Sequence, residues 1–302
     1  MDTDHIIEVS GLRKSFGATR VLDGIDFTVE RSSVFALLGP NGAGKTTTVH
    51  ILSTLIRPDG GTVRIDGHDV LREAAAVRST MSLTGQFAAV DDLLTGRENL
   101  VMMAKLRQHR GAEVGRAVNA ALERFDLVDA ADKVVQEYSG GMRRKLDIAM
   151  SVVNRPKLLF LDEPTTGLDP HSRREAWTLV RELVDEGTTV FLTTQYLDEA
   201  DHLADRVAVL DRGRIVAEGS PDDLKQRVGS DRIEVDYEDG STRSVATDGS
   251  LASMRHALGL IEEETRAVAA IRVREASLDD AFLALTGKPA GSETPTNTGA
   301  SR

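Results

Sequence analysis

The sequence predicts an α/β protein built on a mostly parallel sheet covered on both faces, followed by a small α+β domain. Three observations carry this. The continuous apolar runs Val34-Phe35-Ala36-Leu37-Leu38, Leu158-Leu159-Phe160-Leu161 and Thr189-Val190-Phe191-Leu192-Thr193 have the length and composition of strands buried on both sides. Helical stretches separate them, and strands alternating with helices imply parallel pairing beneath those helices. Past Gly219-Ser220-Pro221 the texture changes to short strand-like and helix-like segments.

The elements follow in order. Residues 6–38 read as short β segments with breaks at Gly11, Gly17 and Gly24, ending in the buried run at 34–38. Thr46 to Ile56 reads as a helix, Gly60-Gly61 as a turn, and Thr62 to Gly67 as a strand and turn. From about Gly96 to Ala131 the chain is mainly helical, rich in Ala, Leu, Glu and Arg, with an interruption near Gly111. A helix over Gly141–Val153 stops before Pro156, because proline disfavours helical backbone in the residue ahead of it. Ser172–Asp185 is a further helix. In the last part Asp231–Tyr237, Thr242–Ala246 and Ala269–Val273 read as strands, and Leu251–Leu258 and Leu278–Leu285 as helices. The expected divisions are an α/β domain at 6–220 with a helical subdomain at about 96–155, an accessory domain at 228–287, and a disordered tail at 288–302.

Composition narrows the function classes. A chain of 302 residues with 40% hydrophobic and 28% charged residues can bury a sizeable core. A net charge of −11 argues against a nucleic-acid backbone as the main partner. The absence of cysteine excludes disulfides and thiolate metal sites. Met1-Asp2-Thr3-Asp4-His5 lacks the basic region of a signal peptide, and no apolar run approaches the ~18 residues of a membrane span.

The chemistry begins at Gly39-Pro40-Asn41-Gly42-Ala43-Gly44-Lys45-Thr46-Thr47, which fits G-x-x-x-x-G-K-[ST] between a buried strand and a helix. Glycines let backbone N–H groups turn inward around phosphates, and the helix N-terminus adds a favourable dipole. Lys45 is placed to reach the β- and γ-phosphates of a nucleoside triphosphate, most simply Mg·ATP, and the Thr46 hydroxyl to bind Mg²⁺. Downstream, the apolar strand Leu158–Leu161 ends in Asp162-Glu163. Strand alternation sends the two carboxylates in different directions, so Asp162 suits the Mg²⁺ shell and Glu163 the general base for an attacking water. Ser139-Gly140-Gly141 opens a helix with serine at a capping position, a second set of N–H groups for an anion. Gln86 is a neutral amide able to bind Mg²⁺ through its oxygen or to orient water, and Leu168-Asp169 follows the carboxylate strand closely.

Together these motifs resemble the nucleotide-binding subunit of an ATP-binding-cassette (ABC) transporter, a P-loop NTPase fold, over about residues 6–220. Gly39–Thr46 matches the Walker A loop, Gln86 the Q-loop, Ser139-Gly140-Gly141 the signature, Leu158–Glu163 Walker B and Leu168-Asp169 the D-loop. The resemblance makes Phe16 the ring that stacks on adenine, and Gln195 the switch residue that senses the γ-phosphate. Two departures stand out: Tyr138 and Met142 replace the ends of the usual Leu-Ser-Gly-Gly-Gln, and Gln195 replaces a histidine. An amide can donate a hydrogen bond to phosphate but has no proton to exchange near neutral pH. The stretch Thr193–Asp201 and the ending Ser277–Gly287 are similar to the DrrA-like, daunorubicin-resistance type.

The resemblance implies a homodimer in which each ATP is closed over by the signature of the other chain. It also implies a separate multi-pass permease that carries the small-molecule substrate, and a place on the cytoplasmic face of the membrane. The segment Phe87–Thr95 is the candidate permease contact. Rival readings are a cassette ATPase acting on ribosomes or DNA, and a nucleotide-dependent binding protein uncoupled from transport. Two cassettes in one chain or a long coiled-coil insertion would favour the first, and neither is present.

Overall fold

The computed structural model describes residues 4–85, 90–228, 232–247, 250–262, 266–274 and 277–286. The chain opens with two long strands, β1 (His5–Phe16) and β2 (Thr19–Glu30), paired antiparallel around Gly17. Both run through the glycines expected to break them. Gly11 and Gly24 have φ of +58° and +75° and sit where the β1–β2 register shifts. Each lets the strand bulge and bend without ending it. Then come β3 (Val34–Leu38), α1 (Lys45–Leu52), β4 (Gly60–Ile65), β5 (His68–Asp69), α2 (Ala74–Thr80) and β6 (Met81–Thr84). Helix α1 ends four residues before the expected Ile56. Ser53 caps it by donating its N–H to Val49 O, and Thr54 takes a left-handed φ of 63° that helical backbone cannot continue.

Helices α3 (Gly96–Leu106) and α4 (Ala112–Arg124) precede α5 (Gly140–Val152) and β7 (Leu158–Asp162). Next are α6 (Pro170–Asp185), β8 (Thr189–Thr194), α7 (Leu197–Leu203), β9 (Arg206–Asp211), β10 (Arg214–Gly219) and α8 (Pro221–Val228). Helix α6 starts two residues earlier than expected, with Asp169 as its N-cap and Pro170 in the first turn, where a missing N–H costs nothing. The last elements are β11 (Arg232–Tyr237), β12 (Thr242–Ala246), α9 (Leu251–Glu262), β13 (Val268–Arg274) and α10 (Leu278–Thr286).

Among the described residues these strands form three sheets, ordered β2-β1-β4-β5, β10-β9-β3-β8-β7-β6 and β12-β11-β13. In the central sheet only the β9–β10 pair is antiparallel. The first strands thus form a separate antiparallel sheet instead of joining the parallel one. Strand alternation explains how the two sheets meet. Phe35 and Leu37 of β3 and Leu158 and Phe160 of β7 face the antiparallel sheet and α1, while Val34, Ala36, Leu38, Leu159 and Leu161 face the helices. Phe27, Phe35, Phe160 and Phe191 stack in series between the sheets, with ring centroids 5.3–5.9 Å apart.

A small third core gathers Ile233, Val235 and Tyr237 of β11 with Ala257 and Ile261 of α9. Helix α10 does not join it. Leu278, Ala281 and Phe282 are buried in the large helical core, where α10 packs against α7, α8 and β10. No helix among the described residues is long and apolar enough to cross a membrane.

Candidate nucleotide site

The phosphate loop leaves β3 and enters α1. Gly42 and Gly44 adopt φ of +79° and +113°, open to glycine and strained for other residues. The loop is also braced from behind. A Cβ on Gly44 would lie 2.7 Å from Leu22 Cδ2, and one on Gly39 would lie 2.3 Å from the Leu210 carbonyl oxygen. Gly213, in the turn between β9 and β10, donates its N–H to Ala43 O at 3.1 Å, and Gly39 N–H donates to Thr194 O at 3.1 Å. Pro40 is partly buried, whereas Asn41, Gly42 and Thr46 are exposed; Thr47 is half-buried.

Lys45 is buried and folded back into the loop. Its Nζ donates to Gly39 O at 2.8 Å and Pro40 O at 3.3 Å, and lies 3.4 Å from Glu163 Oε1. Burial pushes the Lys45 ammonium below its ordinary pKa, and the Glu163 carboxylate partly offsets that push. Asp162 and Glu163 stand at the end of β7, beside β8. Thr193, paired with Asp162 in register, holds both residues. Its hydroxyl donates to Asp162 Oδ1 and accepts the Glu163 N–H at 3.2 Å, while its carbonyl accepts the same N–H at 3.1 Å. Glu163 has a left-handed φ of 49°, which turns the chain sharply at the strand end. Gln195 directly follows Thr194, so the Thr194–Gly39 hydrogen bond brings it to the entrance of the loop. Loop, carboxylates and switch position therefore meet at one end of three adjacent parallel strand ends.

Ser139 and Asp169 form a second cluster. Ser139 caps α5 by accepting the Met142 N–H at 3.2 Å. Asp169 caps α6 through His171 N–H at 2.9 Å, Ser172 N–H at 3.0 Å and Ser172 Oγ at 2.6 Å, which hold its carboxyl down at about 2. The caps touch: a Cβ on Gly141 would lie 2.6 Å from Ser172 Oγ, and one on Gly140 3.9 Å from Leu168. Tyr138, the first departure from the signature, sends its hydroxyl to Ala130 O at 2.7 Å across Gly96, where a Cβ would clash with it. Among the described residues no hydrogen bond or ion pair joins 39–47 to 139–142.

Phe16 ends β1 with its ring 52% exposed and Lys14 Nζ 5.3 Å from the ring centre. It lies on the same hairpin as Val21 and Leu22, which brace Gly44. Gln86 lies outside the described residues, as do Phe87, Ala88 and Ala89 of the candidate permease segment. In its described part Leu93 is 80% exposed, Asp92 pairs with Arg143 just past the signature, and Asp92 O and Leu94 O accept Gln136 and Val135 N–H groups. Thr193, Gly213 and Arg143 are site residues that the motifs do not single out. For Thr193 the available signal is a hydroxyl near the end of an otherwise apolar buried run.

The ABC transporter family matches residues 22–166. The chain is 48% identical to the daunorubicin/doxorubicin resistance ATP-binding protein DrrA of Streptomyces peucetius, over 94% of this chain and 93% of that one. It is 42% identical to the doxorubicin resistance ATP-binding protein DrrA of Mycobacterium tuberculosis, over 99% of each. The Nod factor export ATP-binding protein I of Ralstonia nicotianae is 38% identical over 94% of each chain. Among solved structures, the ATP-binding subunit of an ABC transporter aligns with a TM-score of 0.66 at 29% identity, over 74% of this chain and 92% of that one. An ATP-binding cassette in its ADP conformation aligns with a TM-score of 0.68 at 25% identity, over 75% and 95%. The chain belongs to the ATP-hydrolysing, ATP-binding subunits of ABC transporters, within the DrrA type.

Proposed function

We propose that this chain hydrolyses Mg·ATP as one half of a homodimer on the cytoplasmic face of the membrane. A separate multi-pass permease converts the cycle into export of a drug-like small molecule. The carrying observation is the division of the site within one chain: phosphate loop and carboxylates in one cluster, signature and D-loop in another, with no hydrogen bond or ion pair between the loop and the signature among the described residues. A second copy supplies the missing half to each. The drug class comes from the anthracycline-resistance names of the relatives at 42–48% identity.

The residues divide the work. Backbone N–H groups from Gly39 to Thr47 cradle the phosphates, and Lys45, now spent on loop carbonyls and Glu163, turns its charge toward them. Thr46 and Asp162, together with Gln86, would hold Mg²⁺ through hard oxygens, and the bound ion would supply charge neutralisation at the phosphates. Glu163 takes the proton of the attacking water, Gln195 reads the γ-phosphate, and Phe16 stacks on adenine. Ser139, Gly140, Gly141 and Asp169 face the ATP held by the partner chain.

The test is co-expression with the candidate permease and measurement of daunorubicin efflux. Glu163→Gln abolishes efflux while nucleotide binding persists; unchanged efflux refutes the transport cycle. Leu93→Asp, on the exposed loop, removes efflux yet leaves the isolated subunit's ATP affinity intact. Loss of ATP binding there would move Leu93 from the permease contact to the site.

A further inference from the structure

Behind the strand ends lies a buried polar cluster that the reading above does not use. Glu199 sits on α7, four residues past Gln195, and is 0% exposed. Its Oε1 accepts from Thr165 Oγ1 at 2.8 Å and Trp177 Nε1 at 3.3 Å. These donors come from two separate segments. Thr165 lies two residues past Glu163, and Trp177 is on α6 behind Asp169. Arg144 approaches from α5, the helix capped by Ser139, donates to Asp147 Oδ2 at 2.9 Å, and lies within electrostatic reach of both Glu199 and Asp162. Arg144 Nε and Nη2 and Glu199 Oε2 are buried without a hydrogen-bond partner among the described residues.

Stability does not explain such an arrangement. A buried charge pair is commonly matched or bettered by apolar side chains of similar volume, and its unmatched polar atoms add a further cost. Burial drives the Glu199 carboxyl up and the Arg144 guanidinium down from their ordinary values, as expected of charges held at a cost. What the cluster achieves is geometric. One carboxylate, on the helix just past Gln195, ties the segment after Glu163 to the helix behind the D-loop.

We propose that Glu199 is a positioning residue for hydrolysis. Through Thr165 and Trp177 it fixes the segment that follows Glu163, and helix α6 behind Asp169, relative to the helix that follows Gln195, while touching no phosphate itself. The inference rests on the ATPase reading of the site, and wild-type turnover is the control that separates the two.

Three variants test it by ATPase kcat and KM, affinity for a fluorescent ATP analogue, and Tm. Thr165→Val removes one hydrogen bond to Glu199 without altering charge or shape much; Tm drops modestly, and kcat falls while KM and ATP affinity hold. Glu199→Gln lowers kcat by on the order of 10- to 100-fold, the scale of a misplaced reacting group, with ATP affinity retained. Thr165→Ser returns the hydroxyl, and kcat recovers. The proposal is overturned if Thr165→Val turns over like wild type, or if Glu199→Gln lowers Tm and leaves kcat unchanged, for then the cluster serves folding alone.

Discussion

Glu163 occupies a backbone conformation that L-residues avoid, at a cost of roughly 1–3 kcal/mol, and it persists because its surroundings over-determine it. Thr193 is the main constraint. Its carbonyl and hydroxyl both take the Glu163 N–H, and the same hydroxyl gives its proton to Asp162. One side chain thus orients the proposed metal-side carboxylate and the proposed base together. Thr193→Val keeps the β-branched shape and removes the hydroxyl, leaving buried Asp162 short of a donor. We expect a loss of about 1–3 kcal/mol in stability. We also expect a fall in kcat and a higher Mg²⁺ requirement for tight nucleotide binding, with Thr193→Ser restoring all three. Denaturant unfolding and Mg²⁺-dependent binding of a fluorescent nucleotide check this; a valine variant matching wild type in both would show that Thr193 only fills space.

At the scale of elements, the β9–β10 turn does more than close a hairpin. Gly213 accepts the Asp23 N–H at 2.9 Å, donates to Ala43 O, and has φ of +77°. A Cβ there would lie 2.3 Å from Val21 O. Gly213→Ala must therefore push the β2 hairpin off the back of the phosphate loop. The expected result is a stability loss of more than about 1 kcal/mol, the usual sign for a side chain forced to positive φ. ATP affinity should weaken in parallel, read by thermal unfolding with and without nucleotide. If affinity is untouched, the loop holds its shape without the turn. This brace was not legible in the sequence, because Asp211-Arg212-Gly213-Arg214 reads as an ordinary turn and its partner is almost 200 residues away in the chain. What was legible had local causes. Leu158–Leu161 is apolar at every position because both its faces are covered, and the strand ends at Asp162 as expected. The phosphate loop announces itself by glycines that later prove to need positive φ. The same glycine rule misled at Gly11 and Gly24, where pairing between β1 and β2 turns a break into a bulge. Of the residues whose work lies in contacts between distant segments, Thr193 shows only a hydroxyl near the end of an apolar run, and Glu199 and Gly213 carry no local mark.

At the scale of the whole molecule, the proposed homodimer sets the two clusters of each chain on opposite ATP molecules, so defects in different chains should complement each other. Lys45→Ala removes the phosphate-side charge. Gly140→Asp is the matching change in the signature, chosen because the fold tolerates it: the new Cβ meets only Leu168 at 3.9 Å, and an acidic residue suits the first turn of α5. It places a negative charge where the partner's ATP presents its own, so closure over that ATP is opposed. Each variant alone has both composite sites damaged and should show almost no ATPase activity. In a mixed dimer one site collects both defects, while the other joins an intact phosphate loop to an intact signature. Mixing the two purified variants should therefore regain turnover, with a dependence on total protein concentration that reflects dimer assembly. If each site lay within one chain, every chain in the mixture would still carry its own lesion and activity would stay at baseline. If Gly140→Asp alone kept full activity, Gly140 would not face phosphate. The outcome distinguishes a shared site from a self-contained one without any need to know which permease, or which drug, the dimer serves.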